Sequence, residues 1–225
     1  MAKRKASAMS GSGGARRTRK SRKVAPPSKT LGGQKIYTFR RYVSTDNQAT
    51  LTISNPNVQV GEAFAFSLSK LAGYTDITSL FDLFRITKIE VFCYLINNPD
   101  SAYYTQSNVA NGTNWYPRIW LDVDHDDATI TPSVNVMKER QGVVCKHLQP
   151  NRVVKFSFKP SVLTQIQSGT SIMTSPLMNQ WCDNSDTYWF GLKAVVDAFG
   201  GAPIAGQPFS VKLDFRYTVQ CKKVQ

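Results

Sequence analysis

Phe209-Ser-Val-Lys-Leu-Asp-Phe-Arg-Tyr-Thr-Val-Gln-Cys221 places an apolar side chain at every odd position and a polar one at every even position. Successive side chains of a strand point to opposite faces, so this is one long strand with one buried and one solvated side. Less regular runs of the same kind precede it at Ile36–Val43, Ala63–Leu68, Arg85–Ile96, Arg118–Asp124, Gly142–Leu148, Arg152–Lys159 and Tyr188–Asp197. That makes eight strands, with Asn47–Ile53 either extending the first or forming a short extra one. Gly, Pro, Asn and Asp clusters separate the runs.

Two segments read as short helices in the connections. Asp76-Ile-Thr-Ser-Leu-Phe-Asp-Leu-Phe84 opens on a capping residue and puts Ile77, Leu80, Phe81 and Phe84 on one face. Thr131-Pro-Ser-Val-Asn-Val-Met-Lys138 has a capping Thr followed by Pro at the first helical position. No internal repeat and no alternation of long helices with strands appears, which argues against a βαβ architecture. Eight antiparallel strands with long connections suit an all-β jelly roll, a two-sheet sandwich. An up-and-down barrel fits less well, because Asp100–Trp115 and Gln165–Asp186 are too long and polar for hairpin loops.

The charge is as uneven as the strands are regular. Of 28 Lys and Arg residues, thirteen fall between Met1 and Arg41: Lys3, Arg4, Lys5, Arg16, Arg17, Arg19, Lys20, Arg22, Lys23, Lys29, Lys35, Arg40 and Arg41. The first acid is Asp46, so residues 42–225 hold 15 basic and 15 acidic side chains and the whole net charge of +13 precedes them. Residues 1–30 contain no aromatic group and too little apolar surface to offset the entropy of ordering. The division is therefore a disordered Arg/Lys-rich arm over residues 1–33 and a jelly-roll domain over residues 34–225.

A flexible polycation binds nucleic acid by neutralising phosphates and releasing counterions, without contacts to bases. The residues expected to do this are Lys3, Arg4, Lys5, Arg16, Arg17, Arg19, Lys20, Arg22, Lys23, Lys29, Arg40 and Arg41. The clusters Lys3–Lys5 and Arg16–Lys23, ten residues apart, also match a bipartite nuclear localisation signal, with a host nuclear import receptor as partner. On the last strand Lys212 and Arg216 share the polar face with Asp214, and Lys222-Lys223 follow. Beside Arg40 and Arg41 they would form a second, structured basic surface. The aromatic groups Tyr103-Tyr104, Trp115–Trp120, Trp181 and Tyr188–Phe190 can stack bases, but burial in sheets and interfaces is the better reading.

The sequence points away from catalysis and cofactors. Cys93, Cys145, Cys182 and Cys221 are widely spaced and suit reduced, strand-filling residues rather than a zinc or redox site. Two histidines, His125 and His147, are too few for a cupin-type metal centre, and no G-x-S-x-G is present. The run Asp122–Asp127 fails as an EF-hand loop, and a solvated strand end is favoured over a loose Ca²⁺ site. The Asn111-Gly112-Thr113 triplet reads as a turn rather than a glycosylation acceptor. No apolar stretch approaches the ~18 residues of a membrane span, and no secretory apolar segment is seen. The expected location is the cytosol or nucleus of the cell that makes the protein, with no membrane insertion.

The order of these features resembles a known family. The tail carries KRK at residues 3–5 and ARRTRKSRK at residues 15–23, and the domain is entered through IYTFRRYV at residues 36–43. FDLFRITKIEVFCYL follows at residues 81–95 and KHLQPNRVVKFSFKP at residues 146–160, before the closing YWFGLKAVVD at residues 188–197 and FSVKLDFRYTV at residues 209–219. Together they look like capsid proteins of circovirus-like viruses. These are small viruses with circular single-stranded DNA and a replication-initiator protein. The resemblance covers essentially the whole chain. It implies an eight-stranded jelly roll, a homo-oligomeric shell of sixty subunits, an arm directed at a packaged single-stranded DNA genome and read earlier as an import signal, and location in the virion and, during assembly, the host nucleus. Two other readings share the arm: a nuclear shuttle protein that never assembles, and the coat protein of a small RNA virus. No motif names a cell-surface receptor. A charged fraction of 19% against 41% hydrophobic residues favours large buried subunit contacts over the shuttle.

Overall fold

The long alternating run forms the centre of one sheet. In the computed structural model, which describes residues 35–54, 58–96, 117–125, 133–149, 152–168, 171–198 and 209–223, the last strand β11 (Phe209–Lys222) lies between β1 (Ile36–Tyr42) and β4 (Leu83–Leu95). Val211, Leu213, Phe215, Tyr217, Val219 and Cys221 are all buried, as the two-residue period requires. β2 (Ala49–Ile53) continues the edge begun by β1 along the other half of β11, and β7 (Val154–Phe158) closes the far side of β4.

The second sheet is built on β10 (Trp189–Val196), which pairs with β3 (Val60–Phe66) on one side and β5 (Arg118–Asp122) on the other. β6 (Val144–His147) follows β5, and the hairpin β8 (Ser161–Ser168) and β9 (Ser171–Met178) joins at Phe190. With β1 and β2 counted as one broken edge and the β8–β9 hairpin as an insertion, eight strands remain. They run 1-8-3-6 in one sheet and 2-7-4-5 in the other, the order of a jelly roll.

The inner faces meet over an aromatic centre. Phe66 lies 5.2 Å from Phe215, 5.8 Å from Phe158 and 5.9 Å from Tyr217 between ring centroids, distances at which edge-to-face and tilted pairs add to the burial of apolar area. All four cysteines are free, and burial pushes the Cys93 and Cys221 thiols up to about 12, so both fill the core as neutral small hydrophobes.

Each helix differs in its bounds from the sequence expectation. α1 spans Tyr74–Leu80 and is capped by Gly73 at φ 67°, with Asp76 in the first turn rather than at the cap. Phe81 turns out of the helix on extended backbone to meet Tyr37 and Phe39, and Phe84 belongs to β4, paired with Cys221. Of the expected helical face only Ile77 is buried within α1; Leu80 is exposed. α2 spans Val134–Lys138, and its cap is Ser133, whose hydroxyl accepts from the Val136 amide at 3.3 Å. The proposed cap Thr131 and Pro132 lie outside the described residues. Val134 and Met137 pack on Val195, so α2 covers the outer side of the second sheet.

A second correction concerns Gln165–Asp186, expected as a long loop. Most of it is the β8–β9 hairpin, and the serines, threonines and glutamines that read as loop are paired strand residues. The Asp100–Trp115 segment and Asn111–Thr113 lie outside the described residues.

One glycine holds the junction of the hairpin with β10. Gly191 has φ 137° at the bulge where the pairing of β10 with β3 shifts register, and a Cβ there would stand 3.0 Å from Phe158 Cε2 and 3.1 Å from His125 Nδ1. Gly142 also has a positive φ, 89°, but opens onto empty space. Gly142→Ala should therefore cost about 1 kcal/mol from backbone strain alone, and Gly191→Ala about 3 kcal/mol from strain plus the clash. Equal shifts of the two urea midpoints would show that the contacts of Gly191 do not matter.

Candidate nucleic-acid interface

Because β11 is central, its polar face collects side chains from three other strands. Register places Arg40 on β1, Arg85 and Lys88 on β4, Lys155 on β7, and Lys212, Arg216 and Lys222 on β11 on the same outer side of the first sheet. Among the described residues of these four strands, only Glu90 and Asp214 oppose them there. The sequence singled out Lys212, Arg216 and Lys222 but not Arg85, Lys88 or Lys155. Nothing local marks those three, which become neighbours only through the strand order.

Aromatic rings alternate with the cations. The Arg216 guanidinium lies 5.5 Å from the Tyr42 ring centroid and 5.1 Å from that of Phe92, while Lys155 approaches Phe92 from the neighbouring strand at 5.8 Å. Lys212 sits 5.7 Å over Tyr94. At the Lys222 end, Trp181 is flanked by Arg85 at 4.4 Å and Lys222 at 4.8 Å. Arg85 is fixed further by hydrogen bonds donated to Gln220 Oε1 at 2.8 and 3.0 Å and to the Asn179 carbonyl at 3.2 Å. Half-buried Trp181 is thus a ring clamped between cations, whereas Trp189 is fully buried in the core.

The two carboxylates position their neighbours. Burial pushes the Glu90 carboxyl up, but hydrogen bonds from Arg216 and Lys88 outweigh it and hold Glu90 below its ordinary range. Arg216 reaches Glu90 at 2.8 Å and Lys88 reaches it at 3.3 Å. Tyr94 donates its hydroxyl to Asp214, and Lys212 pairs with Asp214 at 3.5 Å. Burial and the Asp214 bond raise the Tyr94 hydroxyl, so it stays protonated at neutral pH. Such exposed pairs add little stability; their effect is to hold the guanidinium and ammonium groups against the rings. Arg40, Arg85, Lys155 and Lys222 have no carboxylate partner among the ion pairs of the described residues.

Arg40 and Arg41 separate. Adjacent strand residues face opposite sides, so Arg40 joins Tyr42 on the outer face while Arg41, partnered with Tyr217, turns to the inner side beside Gly73. Lys3, Arg4, Lys5, Arg16, Arg17, Arg19, Lys20, Arg22, Lys23 and Lys29 lie outside the described residues, as do Tyr103, Tyr104 and Trp115.

The other candidate chemistries resolve into structure. Asp122 and Asp124 are engaged by Arg140, and Asp124 also accepts from Lys193 at 2.8 Å; Asp126 and Asp127 lie outside the described residues. Among the described residues no group of three or more His, Cys, Asp and Glu side chains is placed to hold a metal. The Ser161 hydroxyl stands 3.1 Å from His125 Nδ1, but Ser161 is fully buried and also donates to the His125 carbonyl at 3.3 Å, a tie between segments rather than a nucleophile open to substrate. His147 is exposed on β6. No described helix is long and apolar enough to cross a membrane.

Comparison with known proteins agrees with this architecture. A family model described as Circovirus capsid protein matches residues 12–225. The crystal structure of the 60-mer BFDV capsid protein superposes with a TM-score of 0.58 at 13% identity, covering 86% of this chain and 96% of that one. The decameric BFDV capsid protein gives 0.51 at 15% identity, covering 83% and 99%. No curated protein matches the sequence.

Proposed function

We propose, because the chain belongs to the circovirus capsid protein family, that it builds a closed shell of sixty copies and packages single-stranded DNA through its N-terminal arm and the outer face of the β1-β11-β4-β7 sheet. Membership makes it a structural protein of the virion. The sixty-fold stoichiometry is carried over from the BFDV capsid protein, which forms a 60-mer and shares the fold. The arm, residues 1–33, supplies Lys3, Arg4, Lys5, Arg16, Arg17, Arg19, Lys20, Arg22, Lys23 and Lys29 for phosphate neutralisation. Before assembly the two clusters from Lys3 to Lys23 serve nuclear import.

One observation carries the joint role of arm and sheet. Ile36 pairs with Lys222, so the polypeptide that leads back to the arm starts at the corner where Arg85, Lys222 and Trp181 converge. A strand held by the arm is delivered onto cations and rings of the folded domain. Phosphates meet Arg40, Lys155 and Lys222 while a base stacks on the exposed ring of Tyr42, the combination by which single strands are bound without sequence preference. The face carries positioning and charge, with no catalytic role.

Electron microscopy of the purified full-length chain tests the assembly. Closed particles of uniform diameter are expected on lowering the salt. Only monomers or dimers at both low and high salt, in micrographs and light scattering, would refute the shell.

A further inference from the structure

Between Tyr42 and Ala49 the edge of the first sheet breaks, and the chain swings out through a single 3-10 turn at Thr45–Asn47. Behind the break a cleft of about 300 Å³ opens between the sheets. Its floor is aromatic, with Phe215 5.3 Å from Phe64 and 5.2 Å from Phe66 between centroids. Its walls are polar. Phe64 and Phe66 point inward from β3, and the two-residue period sets Glu62 on the same inward row. Lys70 enters from the neighbouring turn and donates to the Ala65 carbonyl at 2.5 Å. Burial pushes the Glu62 carboxyl up and the Lys70 ammonium down, and each is pulled back by the charge of the other. Gln48 Oε1, also in the lining, is buried without a hydrogen-bond partner. An inward charge on an edge strand is one device against sheet-to-sheet pairing. That device requires neither an open cleft nor an unsatisfied acceptor beside it.

We propose that this cleft is a nucleobase site that takes guanine. Guanine presents two adjacent N–H donors, at N1 and the exocyclic N2, which match the carboxylate of Glu62. The second N2 hydrogen suits Gln48 Oε1, and the O6 carbonyl suits the Lys70 ammonium. The ring is planar and apolar on its faces, as the phenylalanine floor requires. Adenine inverts the pattern, offering a bare N1 to the carboxylate and an amino group to the ammonium. An unmatched buried polar group is costly, so the two bases are distinguished by what is left unpaired.

Saturation-transfer NMR with GMP and AMP on the soluble full-length protein tests the site. The two nucleotides carry the same charge, so the basic arm attracts them alike and any difference reports the base. GMP should saturate with a dissociation constant on the order of 1 mM, and AMP should bind roughly ten-fold more weakly. Glu62→Gln should erase the preference. Gln48→Ala, just after the turn and with neither charge of the Glu62–Lys70 pair removed, should weaken GMP several-fold whether or not Glu62→Gln folds. Equal binding of the two nucleotides, no saturation by either, or full GMP affinity in Gln48→Ala would overturn the proposal.

Discussion

Deleting residues 1–30 will flatten the salt dependence of single-stranded DNA binding while leaving the domain folded. The deletion removes ten of the thirteen net positive charges and no described strand residue. For single strands, log K falls with log salt by about 0.7 per neutralised phosphate, so an arm engaging half its ten cations gives a slope of roughly −3.5. The truncated chain keeps the sheet face, where two phosphate contacts would give a slope of roughly −1.4. Lys155→Ala with Lys222→Ala in the truncated chain should remove most of that remainder. Anisotropy titrations under non-assembling conditions measure all three. Equal slopes for the full and truncated chains would assign the genome to the folded face alone. A fluorescent fusion of residues 1–30 should accumulate in nuclei, and Ala at Arg16, Arg17, Arg19, Lys20, Arg22 and Lys23 should abolish this; unaltered accumulation would place the import signal elsewhere.

Asp124→Asn should destabilise the second sheet by about 2 kcal/mol, the cost of weakening a buried charged hydrogen bond. Lys193 is 2% exposed in the middle of β10, on the side covered by the segment that carries α2, and its ammonium reaches Asp124 at 2.8 Å. Arg140 ties Asp124 to Asp122 from the same segment. Removing the carboxylate takes one anionic partner from a buried ammonium, and weakening a buried ion pair costs stability. Lys193→Met added to Asp124→Asn should recover most of the loss, because an apolar chain of similar length needs no partner. Urea denaturation of the two single variants and the double variant completes the cycle. A loss below about 1 kcal/mol for Asp124→Asn, or no recovery in the double variant, would mean that solvent or other groups compensate Lys193.

The strands that could be read from the sequence were those whose two faces meet different surroundings. β11 alternates without a fault because one side is core and the other is solvent. β10 was legible for another reason: its run is almost wholly buried, covered by the core on one face and by α2 on the other. The β8–β9 hairpin escaped because its serines, threonines and glutamines carry no such alternation, and most of its pairing is internal. The expected helix to Phe84 failed at Phe81, where a helical face and a strand entry share the same apolar spacing. Within the interface, the row Lys212, Arg216 and Lys222 was visible as one strand's polar side. Arg85, Lys88 and Lys155 join it only because β11 lies beside β4, and β4 beside β7. Sequence adjacency misled once, since Arg40 and Arg41 are neighbours in the chain and face opposite sides of the sheet.

The pairing of the first strand with the last has a temporal consequence. Ile36 finds Lys222 only after nearly the whole domain has left the ribosome, and until then both β1 and β4 lack the strand that joins them. Contacts of such long sequence separation make folding slow, on the millisecond-to-second scale typical of all-β domains. The basic stretch over residues 1–33 is therefore synthesised long before the first sheet can be completed. Synthesis of β11 is the step that lets the first sheet close, so the roll's topology places the making of the basic segment before the making of a complete sheet.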